Sequence, residues 1–158
     1  RDEFASMLPG PETTALAKNA FLLEEFLARE LKANRIDWKL GPLETKQALL
    51  HGHCHQKAFG AMGAVEAVLS QIPDLDVQTV ESSCCGMAGA FGYEAEHFDV
   101  SMKMAEQSLL PAVRAASATT IVVADGTSCR HQIEHGTARN AVHVARVLEQ
   151  AIDAGMST

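Results

Sequence analysis

Thr120-Ile121-Val122-Val123-Ala124-Asp125-Gly126-Thr127-Ser128-Cys129-Arg130-His131 passes from an apolar, β-branched run into a polar turn that carries a cysteine. Branching at Cβ suits a pleated, buried surface and restricts χ1 in a helix, so residues 120–123 read as a strand. Asp125 and Gly126 are turn formers, and residues 125–131 read as a loop. A helix is expected from about Thr137 to Ala154, where Ala141, Val144, Leu148 and Ile152 recur on one face.

The same order of strand, cysteine-bearing loop and helix occurs twice upstream. Gln47–Leu50 reads as a strand, His51-Gly52-His53-Cys54-His55 as its loop, and a helix to about Ser70 turns Phe59, Met62, Val65 and Leu69 inward before Pro73. Val77–Val80 reads as the second strand and residues 82–92 as its loop. The helix that follows, from about Glu94, should be kinked or split by Pro111. Strands alternating with helices predict an α/β fold, a three-layer parallel sheet with helices on both faces. In such folds ligand sites lie beyond the carboxyl ends of the strands. Cys54, Cys84, Cys85 and Cys129 each follow a strand by a few residues, so they are expected at one edge of the sheet.

Ahead of these units, residues 1–11 form a polar lead-in ending at Pro9-Gly10-Pro11, and one amphipathic helix is expected over residues 12–33, with Leu16, Ala20, Leu23, Leu27 and Leu31 inward. Residues 1–45 thus read as an N-terminal helix and linker packed on the core, and residues 46–158 as the cysteine-bearing body of one compact unit. A chain of 158 residues that is 47% hydrophobic has enough apolar surface for one such core. Its opening, Arg1-Asp2-Glu3, reads as the start of a fragment of a longer protein.

Composition excludes several classes of function. Twenty acidic residues against thirteen basic ones give a net charge of −7, which repels phosphate backbones and anionic headgroups, so no nucleic-acid partner is expected. No apolar run approaches the roughly 20 residues a membrane span needs, and no membrane insertion is expected. Four cysteines without the dense spacing of a secreted scaffold fit a reducing, cytoplasmic setting.

The chemistry lies in the loops. Thiolates are preferred ligands of iron–sulfur clusters and zinc, which makes Cys54, Cys84, Cys85 and Cys129 candidate metal ligands. His53, His55 and His131 are candidate outer-shell residues or alternative ligands, and each read singly is a surface or hydrogen-bonding histidine. Gly86, Gly89, Gly92 and Gly126 leave the backbone open to a cofactor or a neighbouring chain, or simply make tight turns. No residue is assigned a catalytic role. No dinucleotide fingerprint, phosphate loop, Ser-His-Asp order or paired-carboxylate pattern is present.

The ordered motifs His51-Gly52-His53-Cys54-His55-Gln56-Lys57-Ala58, Ser83-Cys84-Cys85-Gly86-Met87-Ala88-Gly89-Ala90-Phe91-Gly92-Tyr93-Glu94 and Asp125-Gly126-Thr127-Ser128-Cys129-Arg130-His131-Gln132-Ile133 carry a family resemblance. The chain resembles the CCG, or cysteine-rich, domain of heterodisulfide reductase and of the iron–sulfur subunits of glycolate and glycerol-3-phosphate dehydrogenases. It is most similar to the C-terminal part of large FAD-linked 2-hydroxyacid dehydrogenases of the D-lactate and D-2-hydroxyglutarate type. The resemblance runs from roughly Lys46 to Leu148. It implies an electron-transfer module holding an iron–sulfur cluster, of the four-iron, four-sulfur kind, and working beside an FAD-binding domain of the same or a partner chain. The parent enzyme would oxidise a 2-hydroxy acid in the cytoplasm or peripheral to a membrane, and the fragment alone is not expected to be active.

The family pattern is a lone cysteine, a CC pair with glycine, and a CxxC. Gly126 stands in place of the first CxxC cysteine, so the five-thiolate set implied by the resemblance is reduced to four. Two other readings therefore stay open: a zinc-binding structural module, and a thiol-based redox domain acting through Cys84 or Cys85.

Overall fold

The computed structural model describes residues 1–82 and 84–157; Ser83, within the second cysteine loop, and Thr158 lie outside the described residues. The chain divides into two compact units, Arg1–Asp37 and Trp38–Thr158.

In the first unit, helices α1 (Glu3–Met7), α2 (Pro11–Asn19) and α3 (Leu23–Lys32) replace the polar lead-in and single helix expected from sequence. The break falls at Ala20–Leu22, where Ala20 and Leu22 are extended. Glu25 stabilises the new start because its carboxylate accepts the Leu22 N–H at 2.9 Å. The apolar period runs across the break, so periodicity alone cannot reveal it.

In the second unit, β1 (Gln47–His51), β2 (Asp76–Thr79), β3 (Ile121–Ala124) and β4 (Ala141–Val142) form, among the described residues, one all-parallel sheet in the order β2-β1-β3-β4. The expected α/β architecture of a parallel sheet with helices around it is thus present. The register sets Leu50 beside Thr79 and His51 beside Ala124. Around the sheet lie α4 (Cys54–Ala58), α5 (Met62–Leu69), α6 (Phe98–Ala105), α7 (Leu109–Ala115), α8 (Thr127–Thr137) and α9 (Val144–Met156).

Strand alternation divides the core. Val122 and Ala124, with Leu49 packed against them, join Leu109, Leu110, Val113 and Ile133 of α7 and α8 in one cluster that also holds Cys85 and Cys129. Ala48, Leu50 and Val123 alternate to the other face. There, α5 and α9 pack on each other through fully buried residues such as Val65, Val68, Val144 and Val147.

Several boundaries differ from the sequence reading. The helix expected to run on to Ser70 is two helices, parted by Gly60 at φ +67° in the left-handed region that glycine tolerates. Two 3₁₀ turns, Phe91–Tyr93 and Ala95–His97, precede α6. The split near Pro111 falls just ahead of it, at residues 106–108, and Pro111 occupies the third position of α7. Its missing N–H breaks no intrahelical bond there. The loop expected over residues 125–131 is mostly helix: α8 begins at Thr127 and ends at Thr137, stopped by Ala138 at φ +55°. The long final helix expected from Thr137 is instead the end of α8, the two-residue β4 and α9. Among the described residues, no helix is long and apolar enough to cross a membrane.

Candidate metal centre

All strands run the same way, so the residues just beyond β1, β2 and β3 share one edge of the sheet. Cys54 is the first residue of α4, Cys84 and Cys85 lie beyond β2, and Cys129 is in the first turn of α8. All four are free thiols; Cys54 is exposed, Cys84 half-buried, and Cys85 and Cys129 buried.

Cys85 and Cys129 meet directly, with Sγ atoms 3.3 Å apart and Cys129 donating. That hydrogen bond, helped by the nearby His51 imidazole and the Met87 amide against the opposing effect of burial, lowers the Cys85 pKa to about 4. The bond to Cys85 holds the proton on Cys129 and raises its pKa, and burial adds to the rise. Cys54 is raised mainly by partial burial of its thiol and then by its hydrogen bond with Cys84. The four cysteines thus act as two neighbouring pairs, one buried and one near solvent.

The buried pair has a third neighbour. His51, the last residue of β1 and 1% exposed, lies with the two thiols so that ligand atoms of His51, Cys85 and Cys129 fall within 4.8 Å of one another. Its Nδ1 is 3.0 Å from the Ser82 hydroxyl, while Nε2 is buried and makes no well-formed hydrogen bond among the described residues. His51 was not among the candidate ligands named from sequence. Its signal was strand alternation, since His51 shares a face with Leu49, two residues earlier, and Leu49 packs on the cluster of Cys85 and Cys129.

The histidines singled out from sequence are placed otherwise. His53 caps α4, its Nδ1 accepting the His55 N–H at 3.3 Å, and burial is the main cause lowering its pKa. A side-chain carbon added at Gly126 would collide with the His53 ring and come within 3.0 Å of Cys129 Sγ. The position of the absent cysteine is therefore closed by an imidazole and a thiol. His55 is exposed, with its ring 5.5 Å from that of His53. His131 is exposed too and pairs with the Tyr93 hydroxyl at 2.7 Å, lining a cleft of about 640 Å³ with Met87, Phe98, Gln132 and His135.

Polar contacts fix the loops. Gly86 has φ +89°, and an added Cβ would strike the Ser101 carbonyl, so the backbone approaches closer there than any side chain allows. Gly89 is also left-handed at φ +69° but faces open space, and a Cβ on Gly92 would meet Met87 and Ser101. Buried Gln132 donates from Nε2 to the Cys85 carbonyl at 3.0 Å and to the Ser101 hydroxyl at 2.9 Å, joining α8, α6 and the cysteine loop. Asp125 accepts from Gln56 of α4 and, at 2.8 Å, from the Val144 N–H that opens α9. Arg130 donates to the Ala124 and Asp125 carbonyls, at 3.0 and 2.6 Å, and ties down the turn into α8. Lys57 donates to the Ser82 carbonyl, bridging α4 to the loop after β2.

These residues fit a soft metal or cluster. Free thiols, one held as thiolate, beside a buried imidazole nitrogen that makes no well-formed hydrogen bond among the described residues, form a sulfur and nitrogen donor set.

Comparison with known proteins agrees with a redox setting. The chain is 29% identical over 154 residues to the C subunit of the anaerobic glycerol-3-phosphate dehydrogenase of Escherichia coli (strain K12), an alignment covering 96% of this chain and 37% of that protein. It is 26% identical over 136 residues to the D-2-hydroxyglutarate dehydrogenase of the same strain, covering 85% of this chain and 13% of that one. The D-2-hydroxyglutarate dehydrogenase of Pantoea ananatis (strain AJ13355) is 25% identical over 154 residues, 96% of this chain and 14% of the relative. The chain thus spans a minor part of each relative, and all three are dehydrogenases or dehydrogenase subunits. No protein-family description matches the chain, and no solved structure matches it significantly.

Proposed function

We propose that this chain is the electron-transfer module of a flavin-linked dehydrogenase of the CCG type, holding an iron–sulfur cluster through Cys54, Cys84, Cys85 and Cys129. The observation that carries the reading is the meeting of Cys85 and Cys129 at 3.3 Å, unoxidised, on the sheet edge where Cys54 and Cys84 also lie. Similarity to one component of a dehydrogenase and to short stretches of D-2-hydroxyglutarate dehydrogenases supports a place inside a larger redox enzyme. A bound cluster supplies one-electron storage, which lets the two electrons of a hydroxy acid leave a flavin in single steps. The protein's own part is to keep the thiols close, hold the loops with Gln132, Asp125 and Arg130, and limit solvent at the inner pair. A flavin domain of the same or a partner chain would oxidise a 2-hydroxy acid and pass electrons to this edge.

A second reading, a structural zinc site, is favoured by one observation: a buried nitrogen lies with two buried thiols, and such mixed sets suit zinc. Anaerobic iron–sulfide reconstitution separates the two, with metal and sulfide analysis and EPR spectra beside Cys84→Ser and Cys129→Ser. Stoichiometric iron and sulfide, lost in both variants, is the result expected. Colourless protein that takes up zinc alone would replace electron transfer by a structural role.

A further inference from the structure

We infer that Nε2 of His51 is a direct metal ligand, completing a nitrogen and sulfur donor set with Cys85 and Cys129. The inference rests on the metal-holding reading above but not on which metal is held. Buried nitrogens are almost always hydrogen-bonded, because leaving water without a new partner is unfavourable. Among the described residues His51 Nε2 makes no well-formed hydrogen bond although the residue is 1% exposed, and the ligand atoms gathered with its ring are the Cys85 and Cys129 thiols.

The other ring nitrogen is arranged as a metal-binding imidazole requires. Ser82 Oγ lies 3.0 Å from Nδ1 and 3.3 Å from Lys57 Nζ. The ammonium can only donate, so it leaves the hydroxyl oxygen a second lone pair to accept Nδ1–H. With the proton on Nδ1, the lone pair of Nε2 is free for a metal held by the thiols; in the metal-free protein a proton on Nε2, which favours the Cys85 thiolate, leaves as the metal binds. An outer partner that fixes tautomer and ring orientation is the usual companion of a ligating histidine. His53, the nearer histidine in sequence to Cys54, is unsuited because its Nδ1 caps α4 and its ring covers Gly126. The donor lost at Gly126 is thus replaced from the end of β1, and the set again counts five: Cys54, Cys84, Cys85, Cys129 and His51.

The test uses the full chain, purified anaerobically, labelled with ¹⁵N-histidine, and either titrated with cobalt(II) or reconstituted with iron and sulfide, beside His51→Gln and His51→Cys. One imidazole nitrogen coupling in pulsed EPR is expected, absent from both variants. Cobalt affinity of His51→Gln should fall by more than the roughly 10–100-fold that loss of an outer-shell partner costs. His51→Cys should recover affinity with sulfur-only donors. Should His51→Gln unfold, metal–nitrogen coupling at the His51 ring in cadmium-loaded wild type reads the same bond by NMR. Full metal affinity in His51→Gln, or the absence of that coupling in loaded wild type, overturns the inference and leaves a thiolate cluster standing. Cobalt held through His51 without iron or sulfide uptake upholds it and removes the cluster. Failure of every metal to bind overturns both.

Discussion

Cys85 is the residue whose environment departs most from an ordinary thiol in the useful direction. With its pKa near 4, it is charged in the metal-free protein well below the ordinary 9.0 of a cysteine. Between those values the unfolded chain binds a proton that the native one does not, so stability rises with pH through the window and is lost as pH falls through about 4. Cys129 acts oppositely: its raised pKa removes stability above 9.0, where the unfolded thiol ionises first. The contribution of the pair is therefore greatest near pH 9.0. Urea midpoints of the metal-free protein should climb across the window more steeply than those of Cys85→Ser, and parallel curves would show that Cys85 is not the charged partner. The cysteines themselves were visible in the sequence. That Cys85 and Cys129 form the inner pair, with His51 between the strand end and the thiols, depends on contacts across 78 residues of chain, beyond the reach of any local pattern.

At the scale of elements, strands β1, β2 and β3 were legible to within a residue because β-branched and aliphatic runs end in polar turns. Helix ends were less so. The α2–α3 and α4–α5 breaks interrupt apolar patterns that continue on the far side, and β4 has only two residues, too few to display an alternation. Cys129, expected in a loop, sits in the first turn of α8, held by a helix whose next turn places Gln132 against the Cys85 carbonyl. Gln132→Leu keeps the volume but takes the buried donor away from the Cys85 carbonyl and the Ser101 hydroxyl. The expected loss is roughly 1–3 kcal/mol by denaturant midpoint, with faster release of bound metal. An unchanged midpoint and release rate would mean that α8 holds the cysteine loop by packing alone.

Over the whole molecule, every residue of the candidate centre belongs to the unit Trp38–Thr158. A chain beginning at Trp38 is therefore expected to bind the same metal stoichiometry as residues 1–158, measured by elemental analysis on anaerobically loaded samples. A folded shorter chain that binds none would assign residues 1–37 an essential part in the site. The sequence by itself determined the α/β class, the parallel order of strand and helix, and the placing of all four cysteines after strands, since each follows from local periodicity and turn chemistry. Only the tertiary structure decided how those cysteines pair, that His53 and Cys129 close the space at Gly126, and that His51 brings a buried ring nitrogen to Cys85 and Cys129. The physical reason is that side-chain direction at a strand end is set by the sheet, but what that side chain meets is set by segments that join the sheet edge from far along the chain.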